Sequence, residues 1–308
     1  MQPDHVMFVV NPVSGAGRTS RQWRHTERLL REKDYDFAVN FTRGAMHACE
    51  ITRQALEQGY DHIIAVGGDG TINEVLNGFF VDDQAVNSEA ALSLLPMGTG
   101  SDFARILPVS NSTEYAERLL IGCREQLCDV IKVNFVSWEG ISQIRYYINV
   151  ADVGVGCETC IRVNRNNKAM GGFLSFLTCF LEVILTFKSP EFKIEVDGEL
   201  FYQGKSSLIA VNNGKYFGGG VKIAPLAEID DGRMDVTLMK DAGTLDFLLA
   251  LPSAYKGNHL TNPKLMLTQG RQVRVSSSVS AAIEMDGETP GFVDANFDIL
   301  PAGIKLLL

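Results

Sequence analysis

The sequence predicts an α/β protein in two parts: an N-terminal doubly wound α/β domain and a C-terminal antiparallel β-sandwich. Three observations predict it. Short apolar runs alternate with helical segments from the start of the chain to about residue 125. Beyond that point apolar and polar residues alternate at period two, and long helices become scarce. Three of the early apolar runs end in glycine-containing loops, as strands do at the carboxyl edge of an open α/β sheet.

Val6–Val10 reads as an apolar strand and Asn11-Pro12-Val13-Ser14-Gly15-Ala16-Gly17 as the loop after it. Residues 18–33 have helical character, Phe37–Phe41 reads as a strand, Ala45–Gln58 as a helix and Ile63–Val66 as a buried strand. A helix from Thr71, a strand over Ala91–Leu95 and helices after Ser101 and Ser112 continue the alternation. In the second half Phe192, Ile194 and Val196 alternate with charges up to Asp197-Gly198, a hairpin signal, after which Leu200 and Tyr202 resume the pattern. Leu208–Val211, Met234–Leu238, Gln272–Val275 and Ile283–Met285 are further strands, and one helix over about 168–187 interrupts them. The expected domains are 1–125 and 126–295, with 296–308, including Phe297–Leu300, returning to the first.

The 308 residues suffice for two domains, each with a core. A net charge of −9 argues against a nucleic-acid coat and requires any attraction to acidic lipid to be local. The start, Met1-Gln2-Pro3-Asp4-His5-Val6, lacks the features of a secretory signal. The six cysteines then read as reduced thiols of a cytoplasmic protein. Cys157-Glu158-Thr159-Cys160 has zinc spacing but no second pair to complete a site. The longest apolar run, Phe173–Phe187, is shorter than the ~20 residues that span a bilayer.

The most informative run is Gly67-Gly68-Asp69-Gly70-Thr71, between an apolar strand and a helix start. Glycines let the backbone close on a phosphate, and amides at a helix start face it. Asp69 would repel phosphates unless a divalent cation intervened, so the loop suggests Mg2+ with a nucleotide. Asn11–Gly17 is a second loop of this kind, with an ordinary βα turn as its alternative. Leu95-Pro96-Met97-Gly98-Thr99-Gly100-Ser101-Asp102 is a third, from which Asp102 and Arg105 could reach the same cleft. An acidic group lies in the β half, in Glu228–Asp235 and in Met285-Asp286-Gly287-Glu288. Asp-Gly is also the commonest hairpin turn, and Val196-Asp197-Gly198-Glu199 repeats the tripeptide, so pattern alone does not separate Glu199 from Glu288.

Together these segments resemble the diacylglycerol kinase catalytic family, which includes bacterial lipid kinases and the sphingosine and ceramide kinases. The resemblance runs nearly end to end. It takes in the Asn11-Pro12 loop, Gly67–Thr71 with Asn73-Glu74, Leu95–Arg105, Asn212–Gly220, Asp231-Gly232 and Asp286-Gly287-Glu288. It implies an α/β nucleotide-binding domain, a β-sandwich domain and an ATP site in the cleft between them. It also implies a contact surface for ATP made of Asn11, Pro12, Ser14, Gly15, Thr42, Gly67, Gly68, Asp69, Gly70, Thr71, Asn73, Glu74, Gly98 and Thr99. Asp69 would serve the ATP-bound Mg2+, and Glu288 would be the proton acceptor, leaving Glu199 a plain hairpin residue. Asp231 would bind a second, structural Mg2+ with backbone carbonyls near Glu228 and Arg233. Relatives in bacteria usually carry Asn where this chain has Ser101.

The implied reaction moves the γ-phosphate of ATP to a lipid hydroxyl, diacylglycerol to phosphatidate. Alternatives are a sphingoid or ceramide acceptor, or a soluble one as in NAD kinases, whose Thr-Pro-x-Gly-Ser-Thr segment is not found here. Catalysis would rest on position and charge neutralisation. Partial burial would raise Glu288 from a weak base's pKa of ~4.3. Phe173, Leu174, Phe176, Leu177, Phe180, Leu181 and Ile184 share a helical surface that would form an apolar slot for lipid or cover the β core. Arg21, Arg24, Arg28 and Arg31 share one helix face, which would meet anionic headgroups at a membrane or stand solvated beside Glu27 and Glu32. A peripheral membrane contact and, by analogy, a homodimer complete the expectation.

Overall fold

A computed structural model describes residues 5–165 and 172–308. The chain divides into two units, residues 1–128 with 302–308, and residues 129–301.

The first unit holds β1 (Val6–Val10), α1 (Arg18–Glu32), β2 (Ala38–Phe41), α2 (His47–Glu57), β3 (His62–Gly67) and α3 (Asp69–Gly78). The small hairpin β4 (Phe80–Val81) and β5 (Gln84–Ala85), β6 (Ala91–Pro96) and α4 (Thr113–Ile121) follow. The strands pair in parallel in the order β2-β1-β3-β6, and the chain's last strand adds Lys305 and Leu306 beside Ala91 and Leu92. The order reverses at β1 and β3, where the connections leave toward opposite faces and open a crevice at the strand ends. Apolar residues in β1 and β3 are buried on both faces, as a covered parallel sheet requires. Trp23 and Leu30 of α1 lie against Phe8, and Ser112 caps α4 by accepting from the Tyr115 amide at 3.1 Å. After Ser101 the expected helix is only a short 3-10 turn, Phe103–Ile106.

β7 (Glu125–Ser137) leads into the second unit, which contains β8 (Ser142–Tyr147), β9 (Val150–Gly154), α5 (Val155–Arg165) and α6 (Gly172–Thr186). Then come β10 (Glu191–Val196), β11 (Glu199–Asn212), β12 (Met234–Lys240), α7 (Thr244–Lys256), β13 (Leu265–Gly270), β14 (Gln272–Ser277), β15 (Ala281–Met285) and β16 (Glu288–Leu307). Its pairings are antiparallel: β13-β12-β11-β10-β14-β16, with β9 joining β11 to β15. Alternate residues of these strands, among them Ile131, Tyr147, Ile194, Val236 and Phe297, form one buried core.

Two helices, α5 and α7, appear where only strands were expected. In α7 a proline at 252 and exposed Leu245, Leu248 and Leu249 blur the helical pattern. α5 reads poorly because its buried face is built from small residues, Gly156, Cys157 and Thr159. The expected helix over 168–187 is present as α6, with 168–171 outside the described residues. The side chains of Phe173 and Leu174 are outside the description too.

Candidate active site

In the first unit three loops meet at the ends of β1, β3 and β6. The Asn11 amide donates to the Val66 carbonyl at 3.0 Å, and the Gly98 amide to the Gly67 carbonyl at 2.9 Å. Asn11 Nδ2 reaches Thr71 Oγ1 at 3.1 Å, tying the first loop to the second. Thr19, which sequence reading passed over, joins the first and third: its hydroxyl donates to the Met97 carbonyl at 2.8 Å and contacts Ser14 Oγ at 2.7 Å. Two glycines are required by space. Gly15 sits at φ 60°, and a Cβ there would lie 2.9 Å from the Met97 carbonyl. A Cβ on Gly98 would lie 2.6 Å from the Gly68 nitrogen. The backbones therefore pack directly on one another, leaving a glycine-lined floor at the positive end of α3.

Asp69 is the first residue of α3. Its Oδ2 accepts from the Asp102 amide at 2.8 Å and its Oδ1 from the Phe103 amide at 3.3 Å. One carboxylate thus holds the third loop against the second. Asp102 is buried, with Arg105 Nε on its Oδ1 at 2.9 Å. Ser101 takes φ 46°, a left-handed conformation that Asn adopts more readily than Ser. Glu74 Oε2 accepts from the Ala48 amide at 3.1 Å and so satisfies the start of α2. Asn73 is buried inside α3, Thr42 is buried with its amide on the Val10 carbonyl at 2.9 Å, and Thr99 is exposed.

In the second unit Asp231 is exposed, and its Oδ1 accepts from the Arg233 amide at 2.9 Å. Next to it Asp129, another residue the sequence reading missed, is buried and accepts from the Gly232 amide at 2.7 Å. A carboxylate inside the apolar run Val130-Ile131 was the available signal. Asn213 Nδ2 donates to the carbonyls of Asp129 and Ile148, which knits this corner together. Among the described residues no three His, Cys, Asp or Glu side chains form a metal cluster. A metal at Asp231 would use at most two such side chains, with carbonyls and water completing an oxygen-only set that suits Mg2+.

Glu288 opens β16 directly after the Asp286-Gly287 turn. It is exposed, so the expected partial burial is absent. Burial falls instead on the residues around it. Asp286 accepts from the amides of Ile148 and Asn149 at 3.2 Å and of Val150 at 3.1 Å. Glu284 accepts from the Gly287 amide and is buried, as is Asp152. Burial and the neighbouring Asp152 push the Glu284 carboxyl far above its ordinary value, and burial raises Asp152 to about 7. Neither residue stood out in the sequence, although each is a carboxylate in an otherwise apolar strand.

None of the six cysteines is joined to another in a disulfide. Cys157 is buried, which raises its thiol pKa, and Cys160 Sγ donates to the Gly287 carbonyl at 3.1 Å. On α1 the four arginines are exposed; Arg28 pairs with Glu32 at 3.8 Å, and Arg31 stacks on Phe37.

An α/β unit with three interlocked glycine loops, in one chain with an antiparallel β unit, is the architecture of a two-part kinase. Residues 5–133 match the diacylglycerol kinase catalytic domain, and residues 149–308 match the YegS C-terminal NAD kinase beta sandwich-like domain. The chain belongs to the diacylglycerol kinase family and is a lipid kinase that transfers phosphate to an alcohol group, with ATP as the donor. It is 29% identical to the diacylglycerol kinase of Bacillus subtilis (strain 168), over 94% of this chain and 91% of that one. It is 27% identical to the diacylglycerol kinase of Staphylococcus aureus (strain MRSA252), over 94% and 88%. The crystal structure of a diacylglycerol kinase from Bacillus anthracis str. Sterne matches the whole chain and 98% of its own, with TM-score 0.76 at 22% identity. Yeast NADH kinase matches more distantly, over 100% of this chain and 84% of its own, with TM-score 0.55 at 10% identity. At these identities the two structures show the fold. No helix among the described residues is long and apolar enough to cross a membrane.

Proposed function

We propose that this kinase phosphorylates the primary hydroxyl of diacylglycerol, giving phosphatidate, with Mg2+ as cofactor. The observation that carries the reading is a narrow apolar cavity of about 70 Å3 in the unit that bears Glu288. Phe176 and Phe180 of α6, Phe247 and Leu251 of α7, and Gly156 of α5 line it. Its size suits the end of an acyl chain. One turn along α5 from Gly156, Cys160 holds the Gly287 carbonyl, so a single short helix runs from the cavity to the turn that presents Glu288.

In this reading the loops at Asn11–Gly15, Gly67–Thr71 and Gly98-Thr99 hold the phosphates, with Thr42, Asn73 and Glu74 at the rim of the nucleotide site. Asp69 and Asp102 keep the second and third loops in register. Asp69 would also face Mg2+ through water, and Asp231, with carbonyls of Glu228 and Arg233, would hold a second Mg2+. The bound Mg2+ offsets charge on the transferring phosphoryl group. Glu288 accepts the hydroxyl proton as the acceptor oxygen attacks.

Labelled ATP offered with diacylglycerol micelles, ceramide, sphingosine and NAD in parallel tests the acceptor. Phosphatidate as the main product is expected; faster labelling of NAD or of a sphingoid lipid would replace the reading. Peripheral membrane contact belongs to the same proposal. The exposed leucines 181 and 185 of α6 and 245 and 249 of α7 flank the cavity helices, and Thr244 Oγ1 bonds the Ile184 carbonyl at 2.6 Å, bringing the two sets side by side. Liposome sedimentation should weaken when Leu185 and Leu249 become serine. Equal binding by that variant, with loss on reversing Arg21 and Arg24, would move the contact to α1. A homodimer is the remaining part, and a monomer mass in sedimentation equilibrium would remove it.

A further inference from the structure

Asp152 of β9 and Glu284 of β15 stand directly opposite each other in the antiparallel ladder. Their strand neighbours Ala151, Val153, Ile283 and Met285 all enter the β core. By alternation the two carboxyls therefore share the other face, with Cβ atoms about 4.5–5.5 Å apart as directly opposed residues are. The first turn of α5 closes over them. The Cys157 amide donates to Asp152 Oδ1 at 2.8 Å, while Asp152 Oδ2 is buried with no hydrogen-bond partner among the described residues. A Cβ at Gly156 would occupy the place of that oxygen. Glu284 in turn accepts from the Gly287 amide, in the turn before Glu288.

We propose that Asp152 and Glu284 share one proton and that the shared proton positions the Glu288 turn. This rests on the assignment of Glu288 as base. Two carboxylates side by side away from water resist ionising together, so near neutral pH one proton stays between them. In that state Glu284 remains beside Asp152 and anchors Gly287 from below, while Asp286 and Cys160 hold the turn from its sides. Loss of the proton places two like charges on opposed strands and pushes Glu284, and with it Gly287, out of place. Among the described residues the charges acting on the pair are acidic: Glu158 on Asp152, and Asp286 and Glu288 on Glu284. Cys157 and Cys160 of α5 and Tyr147 of β8 are the other titratable neighbours, and burial keeps Cys157 and Tyr147 neutral. Asp152 and Glu284 are positioning residues, since they act through the turn.

The test is the pH profile of kcat in wild type, Asp152→Asn and Glu284→Gln, which keep shape and hydrogen bonds. In wild type kcat should fall severalfold as pH is raised above neutrality and the pair loses its shared proton. Both variants should lose that fall, with KM for ATP unchanged. The same alkaline fall in both variants would overturn the inference. So would a wild-type profile with no alkaline fall. Glu288→Gln run alongside separates the layers: if it remains active the base assignment fails, whereas an inactive Glu288→Gln with unaltered variant profiles sinks the shared proton alone.

Discussion

Two hairpins of the second unit are built from nearly the same words. Ile194-Glu195-Val196-Asp197-Gly198-Glu199 and Ile283-Glu284-Met285-Asp286-Gly287-Glu288 differ at one position of six. Their backbones agree as well. The Asp-Gly pairs take φ 50° and 83° in one and 48° and 92° in the other, and both return strands slip register at the same place. The surroundings do not agree. Asp197 is exposed and accepts from the amides of Arg271 and Gln272, whereas Asp286 is buried under three amides. Glu195 stands opposite Arg274 and pairs with Lys193 at 2.7 Å; Glu284 stands opposite Asp152. Lys193 holds Glu195 below the usual carboxylate range, while burial lifts Glu284 well above it. Local sequence therefore dictates a turn, and only the neighbouring strands decide whether it is a plain hairpin or a place for chemistry.

The comparison breaks most readily at its last residue. Glu288→Gln should lower turnover about 10²–10⁴-fold, the range for removing a general base, with ATP affinity intact. Glu199→Gln should leave turnover within about twofold of wild type. Similar rates for both variants would make the hairpins functional equals.

The fourth of the six positions, the turn aspartate, should differ in stability. Truncating Asp286 strands three buried amides, and Asp286→Ala should cost about 3 kcal/mol or more in urea unfolding. Asp197→Ala, at an exposed turn, should cost about 1 kcal/mol.

The smallest effects carry opposite signs with pH. Asp152 has a native pKa raised from 3.8 to about 7, so the folded chain binds the extra proton between those values and stability falls as pH rises through them. Asp152→Asn removes that loss and should gain on wild type above neutrality and nothing near pH 4. Glu195 has a lowered pKa, so its contribution is present at neutral pH and fades as pH falls. Glu195→Gln should therefore lose slightly at pH 7 and match wild type in acid. Denaturation midpoints of both variants between pH 4 and 8 check the two signs; a common sign would undo the contrast.

Much of this molecule was legible in its residues. The apolar runs at 6–10, 63–66 and 91–95 became the buried parallel strands, because a strand covered on both faces has no choice but to be apolar throughout. The glycine loops after them stood out because close backbone packing at Gly15 and Gly98 tolerates no side chain. α5 and α7 were illegible, since small buried residues in one and exposed leucines in the other mask the 3.6-residue period.

From sequence alone came the strand order's raw material, the phosphate-type loops and the family motifs ending at Glu288, all set by backbone geometry and short-range chemistry. What tertiary structure decided is which charges become neighbours. Asp152 and Glu284 are far apart along the chain, and only strand register, through the pairing of β9 with β15, places one acid opposite the other while the twin glutamate meets an arginine. Electrostatic energy depends on distance and on exclusion of water, and a linear sequence specifies neither.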